Sequence, residues 1–355
     1  MIERMPDSHK DSLKRPTIAD VARLAGVGTM TVSRAINGHP YVSEAVAKKV
    51  QAAIRKLNYT PNQAAQMLNG RPSAIIGLIV PDLADPFFAV LTHSVQETAR
   101  QHKYQVWIAA SNSDAAIEKL EVEQMIRRAV DGILIVSSKT DDAYLKAATS
   151  VGIPLVAIDR PLEGVATDSI EVENYKGAQE AVEHLIGHGR KRILCVGYNG
   201  QQSTIKQRVL GYREAVEAAG LPVLVEVGSG PTEPLSAKLR DLLQKKAKPD
   251  AIFALNNVAT LHSLEALNQL EIQVPTQIAL IGFDDMDAWR VTNPSITVVR
   301  QPVHEMGSLA VKILLDRTRN VGKSVTRTIL PTRLIIRSSC GCPPSTHDPS
   351  PVRNS

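Results

Sequence analysis

The chain has 355 residues, 43% of them hydrophobic and 22% charged, a length that calls for two or three domains and a balance typical of folded globular proteins. No apolar run approaches the span of a bilayer, which excludes a membrane helix. The polar opening MIERMPDSHKDSLKRP lacks the apolar stretch of a secretory leader, so the chain is expected to act in the cytoplasm. Residues 1–70 carry ten Lys/Arg against five Asp/Glu, while the rest of the chain has 31 of each, so the formal charge of +5 sits at the N-terminal end. A basic head on a neutral body is either the footprint of a phosphate-binding module or a solvated tail, and the local pattern has to decide. Of the three cysteines, Cys195 stands alone, and Cys340-Gly341-Cys342 has no second pair or histidine cluster to complete a metal site. They read as incidental thiols, and neither a metal nor a cofactor is expected.

Residues 1–15 read as a flexible tail. Thr17 and Asp20 then fit a capping box, a hydroxyl for free N–H groups and a carboxylate three residues on. Ile18, Val21, Ala22 and Ala25 follow at helical spacing, and Gly26 can adopt the left-handed conformation that ends the helix. After the turn Gly26-Val27-Gly28, a second short helix runs from Thr29 to Ile36 and stops at Asn37-Gly38. Val32, Ala35 and Ile36 face inward, leaving Thr29, Met30, Ser33 and Arg34 outside. Ser43 to Asn58 supplies a third helix, with Val46, Val50, Ala53, Ile54 and Leu57 as the stripe that closes a three-helix core. Two short helices across a glycine turn form a helix-turn-helix, whose second helix lays its N-terminal residues against base edges in the major groove. Thr29, Met30 and Arg34 are the expected readers: threonine and methionine can touch a thymine methyl, and arginine can grip guanine O6 and N7. An ordinary helical hairpin would tolerate the same face.

After Tyr59-Thr60-Pro61, residues 62–70 (NQAAQMLNG) are helix-competent but too short to hold a helix alone in water. The stretches TIADVARLAGVGTMTVSRAINGHPYVSEAVAKKV and LNYTPNQAAQMLNG closely resemble the head and hinge of the lactose/galactose repressor (LacI/GalR) family, and the resemblance continues to about Arg337. It implies a small all-α head over 16–61, a hinge helix over 62–71, and a two-lobed α/β body over 72–338. That body would have parallel sheets like those of periplasmic sugar-binding proteins, with three crossings between lobes. It also implies that double-stranded DNA is contacted through Thr17, Thr29, Met30, Thr31, Ser33, Arg34, Asn37, Tyr59, Asn62, Ala65 and Leu68. Leu68 matches the leucine that two subunits wedge into the minor groove at a central CG step, an apolar insertion that unstacks the step and kinks the duplex. Gly28 stands where most members have a capping serine, and Gln66 where many have arginine.

From Ala74 onward, apolar runs alternate with helical segments: 74–80, 105–110, 132–136, 154–158, 192–196, 251–254 and 278–282. This is the rhythm of parallel strands joined by helical crossovers, with ligands binding beyond the carboxyl ends of the strands. The division between two lobes is expected near Asp159 and again near Asn256 and Met286. Candidate effector groups sit where strands end: Phe87 and Phe88 as an apolar wall, Phe87 the likelier contact, then Asp159, Arg208, Asn256 and Asp284. By resemblance, Arg208 and Asp284 match the family's most regular effector contacts, and Asp159 and Asn256 match secondary ones. For Arg208 and Asp284 the structural alternative is an ion pair between lobes. Asn257 departs from the usual Asn-Asp pair and removes a carboxylate.

The sequence contains no nucleophile elbow, Walker loop or dinucleotide glycine fingerprint, so an enzyme reading has nothing to carry chemistry. His184 and His188, four apart on a helix, lack the glutamate of an HExxH motif and read as a solvated face. The expected function is a repressor that binds a palindromic operator as a homodimer under control of a small molecule, a carbohydrate being the leading class. Residues 339–355, rich in Pro and Ser, read as a flexible tail without a tetramerising coiled coil.

Overall fold

The computed structural model describes residues 16–60, 72–138, 143–228, 235–320 and 322–343. The hinge residues Asn62, Ala65 and Leu68 lie outside them. Contacts divide the chain into two units, parting after Ser73.

The first unit is a three-helix head, α1 (Ile18–Ala25), α2 (Thr29–Ile36) and α3 (Glu44–Leu57). Its capping box forms as expected: the Thr17 N–H donates to Asp20 Oδ2 at 2.9 Å, and the Asp20 N–H donates to Thr17 Oγ1 at 3.4 Å. Gly26, at φ 65°, ends α1. Gly28 at the start of α2 offers no side-chain cap, as the departure from serine implies. Val21, Val32 and Val50 have no solvent exposure, and Val46, Ala53, Ile54 and Leu57 of α3 pack with them.

The second unit holds two six-stranded sheets. The first lobe contains β1 (Ile75–Val80), α4 (Pro86–Gln101), β2 (Gln105–Ala110), α5 (Ala115–Arg127), β3 (Gly132–Ile135), α6 (Lys146–Ser150), β4 (Leu155–Ile158) and β5 (Asp168–Val172). The second contains α7 (Asn174–Gly187), β6 (Ile193–Gly197), α8 (Ser203–Ala218), β7 (Leu224–Val227), α9 (Leu235–Leu243), β8 (Ala251–Ala254), α10 (Asn257–Gln269), β9 (Ala279–Phe283), α11 (Ala288–Val291) and β10 (Thr297–Arg300). The chain then returns to the first lobe for α12 (Val303–Arg319) and β11 (Arg327–Leu330) and ends its sheets in the second with β12 (Arg333–Ile335). Strand orders are β11-β5-β4-β3-β1-β2 and β12-β10-β9-β8-β6-β7. All pairs are parallel except β10 with β12.

All seven apolar runs form strands within one residue of their expected bounds. The strands they form are almost wholly buried, β2 excepted, because helices cover both faces of each sheet. The lobe division is corrected. The chain crosses between β5 and α7, between β10 and α12, and between β11 and β12, not at Asp159, Asn256 or Met286. Those three follow strands that stay within one lobe. The C-terminal expectation is corrected as well: Ser339 and Cys340 are fully buried, Ser339 Oγ donating to the Leu280 carbonyl and accepting from the Thr297 N–H at 2.6 and 2.8 Å. Residues 339–343 belong to the second lobe: β10 pairs with β9 only from Ile281 onward, and the buried Leu280 N–H donates instead to the Ser339 carbonyl at 2.9 Å.

Helices α7 and α8 approach so closely at Gly211 that an added Cβ would lie 2.2 Å from the Tyr175 carbonyl oxygen. Backbone cannot yield as a flexible side chain does. Gly211→Ala is expected to destabilise the body by about 1–3 kcal/mol, read as a lower urea midpoint at unchanged slope.

Candidate functional site

In the head, the sequence-predicted readers separate by exposure. Thr29, Met30 and Arg34 of α2 are exposed, Met30 at 67%, as are Thr17 and Asn37. Thr31 and Ser33 are half-buried, and the Asn37 amide donates to Ser33 Oγ at 3.5 Å. Tyr59 is half-buried against the head's core, so its ring is partly a packing element.

In the body, Phe87, Phe88, Asp159, Arg208, Asn256 and Asp284 all line one cavity of about 180 Å³ between the lobes. At about 30 Å³ per water, that is room for roughly six waters, the scale of one sugar ring or heterocycle. The residues arrive from the first turn of α4 after β1, from the segments following the carboxyl ends of β4, β8 and β9, and from the N-terminal half of α8, where an open parallel sheet presents polar groups. Phe87 and Phe88 pack edge to face with centroids 5.1 Å apart, and both lean on the first lobe's core.

Arg208 is 3% exposed. Its Nε donates to Asn174 Oδ1 at 2.7 Å, one terminal nitrogen donates to the Leu255 carbonyl at 2.6 Å, and the guanidinium lies 3.6 Å from the Phe283 ring centroid. Burial pushes its pKa down, while Asp284 and Asp159 hold it up. Asp284 follows β9 at φ 77°. It accepts from the Gln301 amide, and from the Asn257 N–H at 3.3 Å. Arg208 and Asp284 belong to the same lobe, so the alternative of an ion pair between lobes is corrected. The adjacent Asp285 is held elsewhere, taking paired hydrogen bonds from Arg337 at 2.9 Å and another from Arg300 at 2.7 Å. Asp284 alone of the two carboxylates faces the cavity.

Asn256 does double duty. Its side-chain oxygen accepts from the Ala259 N–H at 2.8 Å as the cap of α10, which leaves its amide nitrogen for the cavity.

Beyond the six expected contacts, three further polar residues of the lining matter most, and of these Gln301 went unnoticed in the sequence. Arg160 is 6% exposed; its Nε lies 3.2 Å from Asp159 Oδ2 in an ion pair outside hydrogen-bond geometry, and one buried terminal nitrogen has no hydrogen-bond partner. Gln301, on the second crossing, spends its amide nitrogen on Asp284 and leaves its buried oxygen unpartnered. Asn257 donates to Asp85 Oδ1 at 2.7 Å, a hydrogen bond from the second lobe to the first. Asp85 also caps α4 by accepting from the Phe87 N–H at 2.8 Å, and burial raises its pKa. A carboxylate at 257 would oppose Asp85 and Asp284 together, which gives the departure from the Asn-Asp pair a physical reason. The charged pair Asp159-Arg160 directly after an apolar strand run was the available sequence signal.

Residues 17–62 match the family described as "Bacterial regulatory proteins, lacI family", and residues 182–340 match "Periplasmic binding protein-like domain". The "Ribose operon repressor" of Escherichia coli (strain K12) is 33% identical over 306 residues, 85% of this chain and 92% of that protein. The chain belongs to the LacI family. As a LacI-family protein it is a DNA-binding transcription regulator with a helix-turn-helix head and a periplasmic-binding-protein-like body. Among solved structures, a "transcriptional regulator CelR-cellobiose complex" is 31% identical with a TM-score of 0.69, covering 92% of this chain and 100% of that one. The lac repressor dimer bound to operator and the anti-inducer ONPF is 25% identical with a TM-score of 0.82, covering 92% of this chain and 99% of that one.

Burial pushes the Asp284 carboxyl from 3.8 up to about 6, against the pull of Arg208. The folded state therefore holds this proton more tightly than the unfolded chain. The resulting stabilisation is complete below about pH 4 and is lost as pH rises through 6. Asp284→Asn removes the titration. Its stability relative to wild type is expected to rise by on the order of 2–3 kcal/mol between about pH 4 and pH 7 in urea melts. A difference that does not change with pH would contradict this.

Proposed function

We propose that this regulator is a homodimeric repressor acting in the cytoplasm, binding a palindromic operator and controlled by a small polyhydroxylated molecule, a sugar or sugar derivative, held between its lobes. The observation that carries the reading is the convergence of two guanidinium groups, four carboxylates and two phenyl rings on one cavity of single-ring size. Carboxylates accept from hydroxyls, and guanidinium groups donate to ring and hydroxyl oxygens. The aromatic edges suit the apolar face of a sugar ring. Arg208 and Asp284 are the central effector contacts, with Asp159, Asn256, Phe87 and Phe88 around them. Arg160 and the Gln301 oxygen add a donor and an acceptor. That a relative is named for a ribose operon and another was solved with cellobiose supports the carbohydrate class.

On DNA, Thr29, Met30 and Arg34 read base edges, while Thr17, Thr31, Ser33, Asn37 and Tyr59 hold the backbone. Asn62, Ala65 and Leu68 form the minor-groove segment, Leu68 of each subunit meeting its mate at a central CG step. The dimeric state is supported by the operator-bound lac repressor dimer. The Asp85–Asn257 hydrogen bond already joins the lobes, and a ligand bridging the same cleft favours the closed arrangement by its differential affinity for it. Effector and operator are then coupled reciprocally.

Selection from random duplex DNA at stated salt is expected to enrich a palindrome with a CG centre. Arg34→Ala should bind it with discrimination at one base pair per half-site reduced by about 1–3 kcal/mol. Enrichment of no palindrome, with and without a panel of sugars, would overturn the DNA assignment.

Arg208→Ala is expected to weaken effector binding by about 1.5–3 kcal/mol in calorimetry against whichever sugar of the panel binds wild type. Its operator affinity without effector should stay near wild type. An operator affinity that no bound ligand moves would refute the coupling.

A further inference from the structure

The expectation that His184, His188, Cys340 and Cys342 are a solvated helix face and incidental thiols is corrected by the fold. Ligand atoms of all four lie within 4.8 Å of one another. Cys342 Sγ is 3.1 Å from His188 Nε2 and 3.6 Å from His184 Nε2, and the two rings stand 4.7 Å apart at 62°. Metal–sulfur bonds of about 2.3 Å and metal–nitrogen bonds of about 2.0–2.1 Å give a tetrahedron with edges of roughly 3.3–3.8 Å. The two cysteine–histidine separations fall close to that range, and the widest separation in the cluster exceeds it by at most about 1 Å.

We propose that these four side chains hold a tetrahedral zinc-class cation that fastens the C-terminal segment to α7. Two thiolates with two imidazoles select a soft or borderline metal over magnesium or calcium, and four protein ligands close the sphere in the manner of a structural site. The supporting geometry is already built. His184 in the last turn of α7 and His188 at its C-cap share one face at a spacing of four. They sit at the negative end of the helix dipole, which favours a cation. Gly341, at φ 107°, lets the flanking cysteines turn toward one point. Cys340 is fully buried, and its sulfur accepts from Thr297 Oγ1 at 3.2 Å, a contact that orients the sulfur as an outer hydrogen bond orients a metal ligand. The Arg190 guanidinium lies near Gly341, with its two terminal nitrogens on the Asp250 and Pro275 carbonyls. Two thiolates and a divalent ion make a neutral centre, so this cation does not oppose metal binding.

The site is tested on the full-length chain, free of affinity tag and kept reduced. Elemental analysis after gel filtration is expected to find close to one zinc per chain. Titrating metal-free protein with cobalt(II) should give the visible bands of a tetrahedral ion together with a near-ultraviolet thiolate-to-cobalt band. His188→Ala and Cys342→Ser alter exposed or half-buried positions and should fold. Each is expected to lose the zinc and the cobalt spectrum and to melt at the temperature of metal-free wild type. The proposal is overturned if reduced wild type shows neither zinc nor the cobalt bands, or if either variant retains both.

Discussion

Burial of both faces of a parallel sheet is the constraint from which the rest of this body follows. Helices cover the sheets, and β1, β3, β4, β6, β8 and β9, six of the eight strands inside the sheets, are nearly free of solvent. Charged groups have no place along such strands without large desolvation costs. They collect where the strands end, and the three crossings set the carboxyl ends of two sheets against each other. The cleft is thus where the fold must put its polar chemistry. Arg208 shows how a buried charge is kept there: Asn174 and the Leu255 carbonyl take its donors, and the Phe283 ring covers its face.

Charges in the cleft are partnered incompletely, and the gaps have a direction. Asp285 is saturated by Arg300 and Arg337, a structural arrangement that ties β9 to β10 and to the segment after β12. Asp284, one residue earlier, has only the Gln301 amide and a long bond from Asn257. The Gln301 oxygen and one Arg160 terminal nitrogen are left over, and Arg160 Nε has only its ion pair with Asp159. Leaving such groups bare inside a protein costs on the order of 1–3 kcal/mol each. A ligand that supplies the missing partners recovers that cost, and it does so only when both lobes reach it. In the proposed function, lobe closure and ligand recognition are then one event.

The sequence made the head and most of the body legible for the same reason, that local patterning and fold agree. Thr17 with Asp20, the Gly26 stop and the α3 stripe each specify their element without help from distant residues. The strands that escaped notice are those whose pattern is decided elsewhere. In β5, Asp168 and Glu171 break up the apolar pattern, yet both are buried because Arg317 and Arg327 neutralise them from α12 and β11, about 150 residues on. The crossings were misplaced because a ligand-lining strand end and a lobe boundary look alike in one dimension. His184 and Cys342, 158 residues apart, carry no mutual signal in the sequence. Only the return of the chain to the second lobe brings them together.

That return also links the two sites through one rigid element. Asn174, the first residue of α7, holds the Arg208 side chain at the effector cleft, and His184 and His188 stand at the other end of the same helix. Fourteen residues of helix span about 21 Å. Close packing against α8 at Gly211 leaves α7 little freedom to slide. An ion binding its far end to Cys340 and Cys342 would fix the helix at its C-terminus as Arg208 fixes it at its start. The position of Asn174, and with it the aim of Arg208, would then rest on contacts well outside the cleft, which neither the lining residues nor their local sequence would show.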